Sequence, residues 1–256
     1  MNITLLRPAV ILAAALLLTS CSSSADRTEG AASPAASTPT EKAVVVESLP
    51  FNASGLLGGT AQPAFPDGEK GEVSVVQMGP LDLDRGTLIF AFRNNTSDGV
   101  SHVGWSATAR SGGSIVAAGS SQGTTPDQVQ PGEIGLAYIY FDNSSDIPDG
   151  SEYEFTVETL PVDTSSYNTV PLKVSEVNLV GDAIVGAATN ATGADVTGPY
   201  SVVVYCFDGD NLNSQFTDYA EQNGDIADGG TVTFLARLFN DDACPSFAVG
   251  VGGYFS

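Results

Sequence analysis

The chain has 256 residues, of which 30 are Asp or Glu, 9 are Lys or Arg and one is His, and its formal net charge is −21. This charge argues against nucleic-acid binding, because neutralising phosphates requires clustered basic side chains. The one His leaves little scope for His-rich zinc sites or paired-histidine catalysis. With 42% apolar and 15% charged residues, most of the chain is expected to fold.

Residues 1–20 are predicted to be an export signal. A short segment with one positive charge precedes residues 9–18, an apolar run of ten that fits a signal peptide and is too short to cross a bilayer as a helix. Leu18-Thr19-Ser20-Cys21 follows, and it resembles the bacterial lipobox, in which Leu, two small residues and Cys mark lipid attachment and cleavage. The resemblance implies that Cys21 is acylated and anchors the mature protein to the cell membrane. An ordinary secretory signal with a chance Cys is the alternative.

Residues 21–42 are predicted to be a disordered tether that begins at the lipidated Cys21. Beyond Cys21 the segment is almost entirely Ser, Ala, Thr, Pro, Glu and Gly, and such a composition cannot bury enough apolar surface to offset the chain entropy. Removing residues 1–20 takes away one Arg and no acid, so the mature chain has 8 basic and 30 acidic residues and a net charge of −22. The body should therefore stand off an anionic membrane surface.

From residue 43 onward the sequence predicts an all-β body. Short β-rich runs are separated by Gly, Pro, Asn and Asp turns every eight to twelve residues, a spacing typical of sandwiches and barrels. Tyr153, Phe155 and Val157 alternate with polar residues and predict a half-buried strand. The predicted strands cover residues 72–77, 87–93, 102–110, 114–119, 134–141 and 153–160 in the first half, and 172–179, 183–190, 200–208, 232–239 and 248–254 in the second.

The two halves of the body resemble each other. Their shift of about 95 to 97 residues is the size of one immunoglobulin-like sandwich. We therefore predict two tandem immunoglobulin-like β-sandwich domains, residues 43–164 and 165–256. The matching pairs are Asn94-Asn95-Thr96 with Asn190-Ala191-Thr192, Val100 with Val196, Trp105 with Tyr200, and residues 129–133 with 226–230.

The second half also carries a family resemblance. It contains Ile184-Val185-Gly186, the run VVVYCFDGD at residues 202–210, and Asp228-Gly229-Gly230-Thr231. Residues 174–239 thereby resemble the FxLYD domain, an immunoglobulin-like module of bacterial surface proteins and lipoproteins. The signature departs from the pattern, because VYCFD at residues 204–208 stands where Phe-x-Leu-Tyr-Asp is expected. The resemblance implies a fold and an extracellular setting, and it supplies no reaction and no catalytic residues.

Cys206 and Cys244 are the two cysteines that remain once Cys21 is lipidated. In an exported domain they permit one intramolecular pairing, so a Cys206–Cys244 disulfide is predicted. A redox pair and a thiol nucleophile are the alternatives. Both are disfavoured, because the sequence has no CxxC motif and His102 lies in the other half.

Asp208 and Asp210 are weak candidates for calcium binding. With Asn211 they resemble the start of a calcium loop. The EF-hand pattern fails, however, because Leu212 occupies a ligand position and no Glu stands at the twelfth. Asp-Gly and Asp-Asn are also hairpin-turn residues. We therefore predict no metal and no other cofactor.

Ser121 lies in a GSSQG run that matches the nucleophile-elbow pattern. That chemistry requires a strand-turn-helix and a His that follows the Ser in the chain, whereas Thr124-Thr125-Pro126 follows and His102 comes earlier. No enzyme is therefore predicted. Four strand aromatics are expected in a sandwich core, and the alternative is an exposed aromatic platform for carbohydrate; they are Trp105, Tyr138, Tyr140 and Phe141.

These observations predict a lipid-anchored extracytoplasmic protein. Its tandem β-sandwich modules are expected to act in non-catalytic binding or presentation at the cell envelope. The alternative is a solute- or glycan-binding accessory lipoprotein. The expected partners are the membrane, through the lipid, and an envelope protein or glycan, with no nucleic acid. A third hypothesis is an enzyme that uses a pair of acidic side chains. A deep pocket with two or more convergent polar groups would favour the accessory lipoprotein or the enzyme, and shallow surfaces would favour the first hypothesis.

Overall fold

The computed structural model describes residues 45–238 and 244–256. The predicted export signal and tether, with Cys21, lie outside the described residues, and they stay predictions. Within these two described ranges, no helix is long and apolar enough to cross a membrane.

The described chain is all-β, as predicted, and its strands run antiparallel in two curled sheets. Strands β2 to β8 form the first sheet, and β1 joins β9 to β14 in the second. In chain order the strands are β1 (Leu57–Gly59), β2 (Val73–Asp82), β3 (Thr87–Asn94), β4 (Val100–Ser111), β5 (Ser114–Thr125), β6 (Gln128–Val129), β7 (Ile134–Tyr140), β8 (Glu152–Pro161), β9 (Thr169–Val180), β10 (Ala183–Thr189), β11 (Val196–Asp208), β12 (Asn211–Tyr219), β13 (Thr231–Arg237) and β14 (Ser246–Phe255). A short 3-10 turn, Ser144–Asp146, precedes β8.

All eleven predicted strands are present, and β1, β6 and β12 are additional. The end of the predicted strand 232–239 lies outside the described residues, since the description stops at residue 238. The predicted alternation in β8 is confirmed at Tyr153, Phe155 and Val157, which are half-buried between exposed neighbours.

The two sheets share one circular order of strands. In the first, the hydrogen-bonded order is β2-β3-β7-β5-β4-β8, with the short β6 also beside β4. In the second, the equivalent strands run β12-β11-β14-β9-β10-β13. Strand β5 bonds to β7 in the first sheet, whereas its counterpart β12 has no ladder to β13 among the described residues. Apart from the short β6 and β1, each sheet is a curled ring of six strands. The ring opens between β8 and β2 in the first sheet and between β12 and β13 in the second. This arrangement fits two sandwich-like halves.

The repeat is present in three dimensions at the ends of β3 and β10. Asn94 Nδ2 donates to the carbonyl oxygens of Asp98 and Val129, both at 2.9 Å. Asn190 Nδ2 makes the two equivalent bonds, to carbonyls 4 and 36 positions later, at 2.7 and 3.2 Å. Each Asn also accepts a hydrogen bond from the hydroxyl of the Thr two positions later. Both Asn side chains are buried, so each ties together three segments of its own sheet.

One predicted correspondence between the halves is wrong. The ladders pair Trp105 with Val157 in the first sheet and Val202 with Val251 in the second, and each pair is the second one after the same bulge. Trp105 therefore corresponds to Val202. The predicted counterpart, Tyr200, lies inside the bulge of β11, which contains one more residue than the bulge of β4.

Each sheet encloses an apolar core of its own. In the first sheet, Phe90, Phe92, Trp105 and Phe155 pack with ring centroids 5.2 to 6.5 Å apart. In the second, β13 shows the period-two pattern of a half-buried strand, with alternate residues buried and exposed. Phe234 of that strand packs against other apolar residues of the second sheet.

The predicted disulfide is confirmed. It joins Cys206 in β11 to Cys244, just before β14, with the two Cα atoms 5.0 Å apart. Both cysteines are buried in the core of the second sheet. The sequence separation of 38 residues corresponds to about 4 kcal/mol of stabilisation in the chain-entropy model.

A third core, the inter-sheet core, lies between the two sheets. Ile89 of β3 and Leu136 of β7 pack there with Tyr205 and Phe207 of β11. These strands bury both faces, because Phe90, the neighbour of Ile89, points into the first sheet's own core. Burial on both faces explains why β3, β7 and β11 read as nearly continuous apolar runs.

Residues 45–66, which we call the entry segment, contact both halves. Leu57, Ala61 and Phe65 pack in the inter-sheet core, and β1 within the segment pairs with β14 of the second sheet. The predicted first domain, residues 43–164, thus includes a strand that joins the second sheet, since the entry segment can bury its apolar side chains only where the two sheets meet.

Arg93 at the end of β3 holds the entry segment in place. Its guanidinium is buried and donates to the carbonyl oxygens of Leu49, Phe65 and Pro66 at 2.8, 3.3 and 3.2 Å, and to that of Gly132 at 2.6 Å. Burial lowers the pKa of Arg93, and the nearby carboxylate of Asp67 opposes that change. Four carbonyl dipoles therefore replace the water that this cation would otherwise bind.

Candidate functional site

Asp208 and Asp210 lie in the hairpin turn between β11 and β12. Gly209 between them has a φ of 60°, the left-handed conformation that such a turn requires. Asp210 Oδ1 accepts a hydrogen bond from the backbone N–H of Ala64 in the entry segment, at 3.1 Å. Within the described ranges, no group of three or more His, Cys, Asp and Glu side chains could hold a metal ion. Asp208 thus ends β11 at the hairpin turn, and Asp210 binds the entry segment.

The structure gives Ser121 and His102 separate hydrogen-bond partners. Ser121 Oγ lies within β5 and accepts a bond from the backbone N–H of Trp105 at 2.9 Å. His102 Nδ1 lies 3.1 Å from Ser101 Oγ, whose hydroxyl donates to the carbonyl oxygen of Pro161 at 2.7 Å. Ser121 therefore stands in a sheet ladder, and the strand-turn-helix that a nucleophile elbow requires is not formed there.

A groove runs between the two sheets. It consists of a deep cavity of about 540 Å³ and a more open cavity of about 630 Å³. Gln122, Tyr138 and Thr217 line both cavities, so the two are continuous. The walls come from β5 and β7 of the first sheet and from β11, β12 and β14 of the second. We call this feature the inter-sheet groove.

The deep end of the inter-sheet groove combines aromatic rings, hydroxyls and one carboxylate. Tyr205, Tyr219 and Tyr254 line it together with the shared Tyr138. Asp127, which follows β5, lines it as well. Strand β14 contributes several glycines, which allow its backbone to come close to the opposite wall.

Gly252 shows how close that approach is. A Cβ atom at Gly252 would collide with Oδ2 of Asp127, and a Cβ atom at Gly250 would collide with the side chain of Thr125. The absence of side chains at these two positions of β14 therefore allows the Thr125–Asp127 segment to lie against the strand. Any larger residue at Gly252 would displace the Asp127 carboxylate from the groove.

Asp127 has unusual electrostatics. Burial raises the pKa of its carboxyl from 3.8 to about 7, and its own backbone N–H opposes this effect. The other titratable residues that line the deep end are the four tyrosines, and no Lys or Arg is among the described residues that line it. The carboxylate is thus a partly desolvated anion without a neighbouring cation in this part of the described structure.

The tyrosines of the deep end lie close to each other. Tyr205 is buried, its hydroxyl hydrogen-bonds with the side chain of Thr125, and burial raises its pKa. Burial also raises the pKa of Tyr138, and the proximity of Tyr219 adds to the effect. Because burial raises both pKa values, the hydroxyls of Tyr138 and Tyr205 stay protonated at neutral pH, and each can donate and accept hydrogen bonds.

The outer end of the inter-sheet groove is wider and holds a basic residue. Tyr140, 41% exposed, and Phe216 supply aromatic surface, and Gln215 and Thr87 supply polar groups. Arg85 lines this end and forms an ion pair with Asp82 at 2.8 Å. The groove is therefore amphipathic along its length, with the uncompensated carboxylate at one end only.

The sequence indicated part of this site. Tyr138 and Tyr140 were candidates for an exposed aromatic platform, and both line the groove, whereas Trp105 and Phe141 from the same set are buried in the first core. Asp127 and the other tyrosines were missed. Asp127 reads as a turn acid after a Pro, and no spacing in the sequence brings it next to β11, β12 and β14.

Comparison with protein-family models gives no match for this chain, and comparison with curated protein sequences gives none either. The resemblance to the FxLYD domain stays a prediction.

Proposed function

We propose that this protein is a lipid-anchored, extracytoplasmic binding protein that holds a solute in the inter-sheet groove without transforming it. The observation that carries the proposal is the groove itself, with aromatic and polar side chains converging from both sheets. Of the two functions expected from the sequence, solute or glycan binding is thus favoured over presentation of a protein surface.

The size and lining of the groove support this function. Small-molecule sites typically enclose about 300–1,000 Å³, are rich in aromatic surface and contain a few well-placed polar groups. The deep cavity of about 540 Å³ falls in that range. Its position between two packed halves is also a common place for a ligand site.

Binding is favoured over catalysis by the residue types in the groove. Among the described residues that line it, none is Cys, His or Lys. The serine and threonine hydroxyls there thus have no imidazole or amine beside them to activate a nucleophile. A membrane anchor at Cys21 and the tether of residues 21–42 would hold this binding body outside the cell membrane.

A thermal-shift experiment tests the proposal. The mature chain, purified in detergent, would be screened against amines, amino acids, sugars and short oligosaccharides. At a ligand concentration of 100 Kd, the expected rise in Tm is roughly 5–10 °C. The shift should be lost in Tyr219→Ala, which removes a ring from the groove, and kept in Tyr167→Ala, which removes a ring that is 83% exposed and lies outside it.

Two outcomes would contradict the proposal. In one, no compound shifts the Tm of the wild type. In the other, a compound does so equally in Tyr219→Ala, which would place its site elsewhere. Turnover of a bound compound would show that the protein is an enzyme.

The anchor requires its own experiment. Cys21→Ala should release the protein from the membrane fraction, because it removes the acylated residue. Cys21→Ala that stays in the membrane fraction under the same extraction would contradict the lipidation.

A further inference from the structure

We propose that the deep end of the inter-sheet groove selects an organic cation, holding its ammonium group between Asp127 and the rings of the surrounding tyrosines. This inference rests on the proposed function, because it specifies the chemistry of the solute. It also goes beyond it, since a binding groove could equally accept a neutral ligand.

The first argument is the position of the Asp127 carboxylate. It lines the deep cavity and lies against the backbone of Gly252. Of the ion pairs seen in the described part of the chain, Arg85–Asp82 and Arg110–Glu154, neither involves Asp127. A carboxylate removed from water without a cation is costly, and a bound ammonium group would supply the missing partner.

The second argument is the number of aromatic rings in the cavity that Asp127 lines. Tyr138, Tyr205, Tyr219 and Tyr254 come from four different strands, β7, β11, β12 and β14, and line the same cavity. The face of a tyrosine ring attracts a cation, and several rings around one site form the aromatic cages that bind quaternary ammonium groups. A ring cluster combined with one carboxylate therefore favours a cation over a neutral sugar.

The third argument is the distribution of charge along the groove. The basic residue in the lining, Arg85, stands at the outer end, where it pairs with Asp82. The ammonium group should thus occupy the deep end, and any acidic or neutral part of the ligand should point outward. The formal net charge of −21 also raises the local concentration of cations around the protein.

The acid–base behaviour of the site agrees with this reading. The titratable groups of the deep end are Asp127 and the four tyrosines. Burial raises the pKa of Asp127 to about 7, and it also raises the pKa of Tyr138 and of Tyr205. Affinity for a cation should therefore rise as the pH increases through about 7, since only the ionised carboxylate attracts it.

The test uses calorimetric titration of the mature chain with choline chloride and with 3,3-dimethylbutan-1-ol, the uncharged carbon analogue of choline. An ammonium group could also come from a lysine side chain of another protein, so trilysine forms a third arm. The variant is Asp127→Asn. The matched control is Asp149→Asn, which removes the same charge from an exposed turn outside the groove.

The expected result is that choline or trilysine binds to the wild type and to Asp149→Asn at least about tenfold more tightly than to Asp127→Asn. The probe that binds identifies the source of the ammonium group. The neutral alcohol should bind more weakly, with the same affinity for all three proteins. Between pH 8.5 and 5.5, the wild type should lose roughly tenfold in affinity for the cation, and Asp127→Asn should not.

Equal binding of choline and the alcohol, or equal binding of the cation by wild type and Asp127→Asn, would overturn the inference. The inference would also be overturned if neither choline nor trilysine bound to the wild type. If the thermal-shift screen then finds a neutral ligand whose effect is lost in Tyr219→Ala, the proposed function stands and only the cation preference fails. If that screen is also silent, both fail.

Discussion

The two halves of this molecule are built on the same strand order, yet each closes its ring differently. In the first half, β5 pairs with both β4 and β7 and completes the ladder there. In the second half, the equivalent strand β12 pairs with β11 and packs against β2 and β3 of the first sheet. Two equivalent strands therefore have different roles: β5 completes the ladder of its own sheet, and β12 contacts the other sheet.

This difference explains where the groove lies. Because β12 is turned toward the first sheet, Thr217 and Tyr219 become one wall, and Gln122 and Thr124 of β5 contribute to another. The groove is thus built from equivalent strands of the two copies, with the remaining lining from β7, β11 and β14.

The second half also contains the Cys206–Cys244 disulfide, whereas residues 43–164 contain no Cys, and the largest predicted effect tests this difference. The double variant Cys206→Ala/Cys244→Ala should lose about 4 kcal/mol in the free energy of unfolding, measured by urea denaturation. Hydrogen exchange should speed up in β10 and β13 more than in β3 and β7. Equal loss of protection in both sheets would show that the disulfide stabilises the whole body rather than the second copy.

Arg93 provides the next contrast, because its counterpart in the repeat is Thr189, at the end of β10. Arg93→Met leaves four backbone carbonyls without their donor, so we expect a loss of about 3 kcal/mol. Limited proteolysis should then cut the entry segment. Arg110→Met serves as the control, since it removes a partly exposed ion pair with Glu154 and a long hydrogen bond to the carbonyl oxygen of Gly113, and it should cost only about 1 kcal/mol.

Asn94 and Asn190 test the equivalence of the repeats directly. Each makes the same set of side-chain hydrogen bonds in its own sheet, so Asn94→Ala and Asn190→Ala should each cost roughly 2–3 kcal/mol in thermal or urea unfolding. Asn143→Ala is the control, because Asn143 is exposed and its side chain makes no capping bond. A difference of more than about 2 kcal/mol between the two variants would contradict their equivalence.

The smallest predicted effect concerns Asp127. This carboxylate is found in the first half alone, because Gly224 occupies the equivalent position in the second half. Burial raises the pKa of this carboxyl to about 7 in the folded protein, whereas the ordinary pKa of an Asp side chain is 3.8. The carboxyl is therefore harder to ionise in the folded state, and its contribution to stability is lost as the pH rises from 3.8 toward about 7.

Asp127→Asn should consequently be more stable than the wild type at pH 8, by on the order of 1–2 kcal/mol, because the groove still admits some water to the carboxylate. The difference should vanish near pH 4. Denaturation curves of both proteins across this range measure it. A stability difference that does not change with pH would contradict the raised pKa.

Much of the fold could be predicted from the sequence because its signals are local. Period-two patterns and turn residues located eleven strands, and the even number of cysteines available for pairing indicated Cys206–Cys244. The matching Asn-x-Thr segments indicated the repeat. The polar strand β12, with the sequence NLNSQFTDY, lacks the apolar alternation that marks a buried face, and it was missed.

The groove could not be predicted in the same way, because it depends on how two sheets pack. Asp127 and Tyr254 are far apart in sequence, and each has an ordinary local role as a turn acid or a strand aromatic. One signal was available. The continuous apolar runs of β3 and β11 imply burial on both faces, and hence a second layer against each sheet, which two independent sandwiches would not need.

The attachment of the entry segment has a mechanical consequence. The backbone N–H of Leu49 donates to the carbonyl oxygen of Gly132 at 2.9 Å, and its own carbonyl accepts a bond from Arg93 at 2.8 Å. A pulling force applied to the chain ahead of Val45 reaches these two bonds before it reaches β1 and the second sheet. The two hydrogen bonds at Leu49 would thus bear the force first, and the inter-sheet groove would keep its shape until those bonds broke.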